Sequence, residues 1–314
     1  MSDPKPRLPY WDNAKGVLIL LVVLGHMLQM LPHGSESVVY KLIYLFHMPL
    51  FVFCSGYMGS YAPLKILKSL VLPYIALQIL CCLLTGQAVQ LTTPYWMLWY
   101  LPALAVWRIS IPFLDLCSRK WAPVCLIGLI VLACLAGFDD SIGYFGSLSR
   151  ILVFYPYFAA GYFLKKHGDW QKIQALRTVP KLGAALAALI CCGMFLWFAP
   201  AIHAEWLYGA HSYTAGDCTV FFRLLHYAAA AVTGFAILIF LPKQKTVFSA
   251  WGKNSFLLYV AHIAVLPLVP KLIDALHEPA VPLQMVLCVL LAAGFCAAIS
   301  AMGTAWRRRQ ANLE

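Results

Sequence analysis

His26 lies in an apolar run from Val17 to Leu31, and His47 lies in a second from Val38 to Tyr57. Imidazole ordinarily titrates near neutrality, which suits it to act as a general base. At membrane depth such a group is costly unless it faces protein or water, so its presence there points to function. Lys15 precedes His26 by eleven residues. On a helix that spacing puts the two within about 20° of one face and about 16 Å apart along the axis. Asp12 falls within about 60° of both, and Gln29 lies one turn beyond His26. One stripe of the first helix therefore reads acid, base, imidazole, amide. The plainer alternative makes Asp12 a cap after Pro9, Lys15 a snorkelling cation and His26 a bond to a neighbouring helix.

His47 sits about 14 Å from the outer end of its run, and His26 about 18 Å from the inner end of its own. In a hydrocarbon core about 30 Å thick these depths nearly coincide, so the two imidazoles are expected to share one cavity between consecutive antiparallel helices. Pro49 cannot bond the carbonyl of Leu45, and Ser55-Gly56 lets another helix approach closely. Ser255, Tyr259 and His262 recur at spacings of four and three, so they share a face. Arg150 and Arg223 lie on the side poor in basic residues, where each needs a partner; Asp217 or Glu205 would serve structurally. The loop 200–218 adds His203, Trp206, Tyr208, His211 and Tyr213. Eleven cysteines lie mostly inside apolar runs. They show no zinc spacing, so no metal is expected. P-loop, dinucleotide, HExxH and GxSxG signatures are lacking.

The elements that must hold these residues are membrane helices. The chain of 314 residues is 62% hydrophobic and 11% charged, against about 25% charged in a soluble domain. Ten segments suit spans of about 20 residues: 14–31, 38–57, 67–84, 95–111, 123–138, 150–164, 181–200, 219–241, 255–273 and 283–306. The expected fold is all-α, a polytopic bundle of about ten transmembrane helices forming a single domain over 1–314. With the N-terminus inside, nineteen Lys and Arg fall on the inner side and four (Lys41, Arg150, Arg223, Lys271) on the outer. This asymmetry puts both termini in the cytoplasm, as a segment 1–13 and a tail 307–314. The net charge of +11 is thus a topology signal, not a nucleic-acid surface. The first run lacks a small-residue cleavage site and reads as an uncleaved span.

Together these stretches resemble the acyltransferase 3 family of integral membrane O-acyltransferases, in particular the branch of fucose 4-O-acetylase. Tyr10-Trp11-Asp12-Asn13-Ala14-Lys15-Gly16 through Gly25-His26 looks like the family's opening motif of basic residue, ten-residue gap and histidine. Phe46-His47-Met48-Pro49 through Ser55-Gly56-Tyr57 looks like its second signature. Lys65, Lys68 and Leu72-Pro73-Tyr74, then Leu98-Trp99-Tyr100-Leu101, Tyr155-Pro156-Tyr157-Phe158 with Gly161, and Gly252-Lys253-Asn254-Ser255-Phe256 through His262 follow in order. Lys15 stands where much of the family has arginine, keeping the charge without the planar fork.

The resemblance implies transfer of an acyl group, most often acetyl, from cytoplasmic acetyl-CoA to a hydroxyl of a cell-surface or extracytoplasmic carbohydrate. Acetyl-CoA would be a co-substrate, with no permanently bound cofactor, and the bilayer of the cell (inner or plasma) membrane the setting. His26 would deprotonate the acceptor or carry the acyl group, with Lys15 and Asp12 positioning and His47 assisting. Lys65 and Lys68 would attract the CoA phosphates, with Ser255, Tyr259 and His262 also on the donor side. Arg150, Arg223, Trp206, Tyr208 and Tyr213 would hold the acceptor. A proton-coupled transporter and a non-enzymatic partner in polysaccharide assembly are the competing readings.

Overall fold

Residues 8–277 and 279–311 are described in a computed structural model. Lys5 and Arg7 of the basic count, the first seven residues of the expected N-terminal segment and residues 312–314 of the expected tail lie outside the described residues. The described elements are all helical: α1 Pro9–Gln29, α2 Val38–Tyr57, α3 Pro63–Thr85, α4 Trp96–Leu116, α5 Ala122–Phe138, α6 Leu148–Lys166, α7 Thr178–Phe198, α8 Val220–Phe240, α9 Val247–Lys253, α10 Ser255–Val265, α11 Leu268–Ala275 and α12 Val281–Ala311.

The ten expected spans all fall on helices, but their lengths and apolarity differ. Seven are long and apolar enough to cross a membrane: α1, α2, α3, α4, α7, α8 and α12. An eighth forms if α10 and α11 count as one span broken by a 52° bend. Pro267 explains that break, because its ring cannot continue the bonded ladder. α5 is shorter, and α6 is diluted by Arg150, Lys165, Lys166 and three tyrosines. The protein is a multi-pass membrane protein on these grounds.

The described residues group into two compact units. The first comprises the residues up to Phe51, Lys181–Ala201 and those from Val232 on. Its central helix is α1, which starts with Pro9 in the first turn, where a missing N–H costs nothing. α1 packs against α9, α10 and α12. Glycines set the approach to α9. A Cβ on Gly16 would lie 1.9 Å from the carbonyl oxygen of Phe248, and one on Gly252 would lie 1.8 Å from that of Asp12.

Asn13 locks the same crossing. Fully buried, it donates from Nδ2 to the carbonyls of Pro242 at 2.9 Å and Gln244 at 2.8 Å. Its Oδ1 accepts from Thr246 at 2.7 Å and Ser249 at 2.5 Å. Thr246 and Ser249 also cap α9 reciprocally. Asn13→Ala therefore strands two carbonyls and two hydroxyls, each unmet group costing about 1–3 kcal/mol. The expected result is a fall in melting temperature of more than about 5 °C, read by thermal unfolding in detergent. A shift below about 1 °C would show that the amide bonds are dispensable.

The second unit comprises Val52–Pro180 and Ile202–Ala231. Here the end of α2 crosses α6 through glycines, with Gly56 against the carbonyl of Phe158 and Gly161 against that of Phe53. Buried Gln78 pins the segment after α3, donating to the carbonyls of Gln90 and Thr93 and accepting from the backbone N–H of Tyr95.

Candidate active site

The α1 stripe is realised in the first unit. Asp12, buried beside α9, pairs with Lys15 at 3.5 Å. About three turns along the helix from Lys15, the ring of His26 faces that of His262 on α10, with centroids 5.4 Å apart and planes 24° from parallel. His262 has no solvent exposure. Neither of its nitrogens has a hydrogen-bond partner of good geometry among the described residues, although the backbones of Leu258 and Tyr259 on its own helix lie close to the ring. Tyr259 packs against it at 6.0 Å. Ser255 opens the same helix, and α10 breaks one turn after His262. Nearer the C-terminal end of α1, the Oε1 of Gln29 is buried without a hydrogen-bond partner among the described residues. Buried polar atoms are normally satisfied, so unmet ones clustered around a histidine pair suit a polar ligand.

The sequence reading paired His26 with His47 across consecutive helices; the structure sets His262 against His26 instead. His47 is buried and its Nδ1 lies 2.8 Å from the carbonyl of Ile43. A carbonyl only accepts, so Nδ1 carries the proton and Nε2 is left as the acceptor of the neutral ring. His47 packs edge-on against Tyr44 at 4.6 Å. The Tyr44 ring in turn covers Gly25, where a Cβ would lie 3.1 Å from it. His47 therefore approaches the site through Tyr44, next to the residue preceding His26.

Two hollows lie toward opposite ends of the stripe. A cavity of about 590 Å³ opens beside Met30, Asp274 and Gln284, one turn beyond His26 toward the C-terminal end of α1. A groove of about 420 Å³ opens near the N-terminal end of α1, beside Lys253 and Arg308.

The other expected site residues lie in the second unit. Lys65 and Lys68 are exposed at the start of α3, where the helix widens into a π turn over Leu67–Val71. Arg150 is half-buried and lies over the rings of Trp99 at 5.2 Å and Tyr144 at 5.3 Å. Arg223 is buried, and its guanidinium donates to the carbonyls of Ala133 at 3.0 Å and His211 at 3.2 Å. It also covers Tyr213 at 4.6 Å. Backbone carbonyls and an aromatic face thus serve Arg223 where a carboxylate was expected. Tyr213 donates to the carbonyl of Cys134, and the Trp206 indole N–H to that of Gly216. Tyr208 is half-buried. The carboxylate that anchors this loop is Asp140, which accepts from Ser212 and Thr214. Those hydroxyls hold its pKa below the ordinary carboxylate value. Among the described residues no cluster of His, Cys, Asp and Glu could hold a metal ion.

Two groups escaped the sequence reading. Asn13 and Lys253 stand inside motifs with no role of their own, and Lys245, Arg307 and Arg308 read only as orientation signals. The Asn at the start of an apolar helix and the basic residues on both sides of the last two spans were the available signals.

A family model described as an acyltransferase domain matches residues 8–302. A nodulation protein NolL of Sinorhizobium fredii is 49% identical over 55 residues, covering 16% of this chain and 15% of that protein. A nodulation protein NolL of Mesorhizobium japonicum is 50% identical over 60 residues, covering 18% of this chain and 16% of that protein. The chain thus spans less than a fifth of the length of these curated relatives. No solved structure is significantly similar.

Proposed function

The chain belongs to the acyltransferase 3 family of membrane O-acyltransferases, and on that premise we propose that it moves an acetyl group from acetyl-CoA to a carbohydrate hydroxyl. The observation that carries the reading is the stacked His26–His262 ring pair, half-buried at His26 and fully buried at His262. In this proposal His26 takes the proton as the sugar oxygen attacks the thioester carbonyl. The tetrahedral intermediate collapses, the C–S bond breaks, and the same proton passes to the departing thiolate. The ester product and CoA thiol then balance the reactants. His262 orients the His26 ring and offers a nitrogen to the carbonyl or hydroxyl. The acceptor reaches the pair from the hollow beside Met30, one turn beyond His26. Arg150 with Trp99 and Tyr144, and the loop carrying Trp206, Tyr208 and Tyr213, are the proposed carbohydrate-holding surface of the second unit.

Lys15 lies about 16 Å from His26 along α1, too far to touch the same atoms. Its proposed role, held by Asp12, is to guide the donor. Both termini then face the cytoplasm of an inner or plasma membrane, in line with the basic excess at those helix ends. The test is mass spectrometry of cell-envelope glycans with and without the protein. Loss of ester groups from one sugar supports the reading; an unchanged glycan profile rejects it.

Lys65 and Lys68 are exposed, so in this account they steer the donor by charge. Replacing both by Gln is expected to raise KM for acetyl-CoA about 3- to 10-fold at low salt, more than it lowers kcat. The effect should fade as ionic strength rises and screening shortens the field. A KM that does not respond to the substitutions rejects the steering role.

A further inference from the structure

The inner groove of the first unit is lined by four cations, Lys245, Lys253, Arg307 and Arg308, and among the described residues by no acid. The hydroxyls of Thr246, Ser249 and Thr304 complete it around about 420 Å³. The positive-inside tendency explains basic residues near these helix ends, but it requires neither a hollow nor a means of holding them in it. Here both exist. Arg307 donates to Oδ1 of Asn254 at 2.8 Å. Asn254 is buried and tied to the carbonyls of Ala250 at 2.8 Å and Ser300 at 3.3 Å. Thr246 and Ser249 are bonded to Asn13, so the groove is fixed to the inner end of α1. A hollow with several cations, side-chain hydroxyls and a guanidinium held in place suits a ligand with more than one phosphate.

We propose that this groove seats the phosphates of the acyl donor, an inference that rests on the CoA-thioester reading above. Asn13, bonded to Thr246 and Ser249 of the groove, and His26 are thirteen residues apart on one helix, or about 20 Å. An extended pantetheine arm has that order of length. Phosphates anchored among Lys245, Lys253, Arg307 and Arg308 therefore place the thioester at the imidazole pair, with the arm running along α1. Lys15 lies on that path, one turn or less beyond Asn13. The groove binds the nucleotide end of the donor, and Lys65 and Lys68 only raise the rate of encounter.

The experiment uses purified full-length protein and follows thiol release from two donors, acetyl-CoA and acetyl-pantetheine, which lacks the phosphates and nucleotide. The preference is the ratio of the two kcat/KM values. In the triple variant Lys245→Gln, Lys253→Gln, Arg308→Gln, the wild-type preference for acetyl-CoA should fall by at least about tenfold. On the wild type, adenosine 3′,5′-bisphosphate should compete with acetyl-CoA. That measurement stands even if the triple variant does not fold. A preference that survives all three substitutions overturns the proposal, as does a wild type insensitive to millimolar bisphosphate. Preference retained, with stabilisation by phosphatidylglycerol vesicles lost in the variant, overturns it in favour of a lipid headgroup. A wild type inert toward both thioesters sinks the donor reading itself, whereas a wild type that uses both equally overturns only the groove.

Discussion

His26→Ala should lower acetyl transfer about 10²- to 10⁴-fold, the range that removal of a general base commonly costs. The hydroxyl of a sugar is a poor nucleophile at neutral pH until its proton is taken. Among the residues on the inner face of α1, His26 is the one that can take it and then return it to sulfur. The loss should fall on kcat, with KM for acetyl-CoA changed little, because the proposed anchor of the donor is some 20 Å away along the helix. The protein should still reach the membrane in normal amounts, since His26 is half-buried and stacks on the ring of His262. His262→Ala, by contrast, should leave a smaller defect, because an orienting ring is replaceable in part by water. A His26→Ala protein that acetylates at the wild-type rate removes this residue from catalysis. Equal losses at both histidines would make the pair, and not one base, the working unit.

The largest structural effect is expected at Gly252. A methyl group there meets the carbonyl oxygen of Asp12 at 1.8 Å. The obstacle is backbone, so no rotamer change relieves it, and α1 and α9 must separate. Overpacking of this kind costs roughly 3 kcal/mol or more when the neighbour cannot yield. Separation also pulls on Asn13 and the Asp12–Lys15 pair, since all three residues lie at the crossing. Gly252→Ala should therefore lower folded protein in the membrane severalfold and abolish activity by that route. Gly128→Ala on α5 is the control, because nothing lies within 4 Å of a Cβ there. It should be neutral or slightly stabilising. Normal levels and melting of Gly252→Ala would show that the helices are not held as closely as their glycines suggest.

How much of this was legible in the sequence depended on whether the cause was local. Helical spans and their basic flanks follow from runs of apolar residues, and each expected span indeed lies on a helix. Span count did not follow, because α6 mixes arginine, lysines and tyrosines into a helix of ordinary length, and Pro267 bends one span into two pieces. The stripe Asp12, Lys15, His26, Gln29 was readable because helical periodicity alone fixes it. The identity of the ring facing His26 was not. His47 and His262 sit at similar depths, and only the packing of α10 against α1 puts His262 opposite. The partner of Arg223 was hidden for a related reason. Loop carbonyls and the end of α5 satisfy it, and backbone acceptors leave no trace in residue types. Lys253 and Arg308 looked like orientation signals because a charge count carries no information about concavity.

The central claim is that a thioester is broken at the His26–His262 pair. The most direct measurement reconstitutes purified protein in liposomes with labelled acetyl-CoA and a carbohydrate acceptor, and follows both thiol release and ester formation. The account predicts that the wild type releases one thiol for each ester formed and that His26→Ala does neither. Movement of label across the bilayer with the thioester intact, or equal thiol release by both proteins, would contradict it.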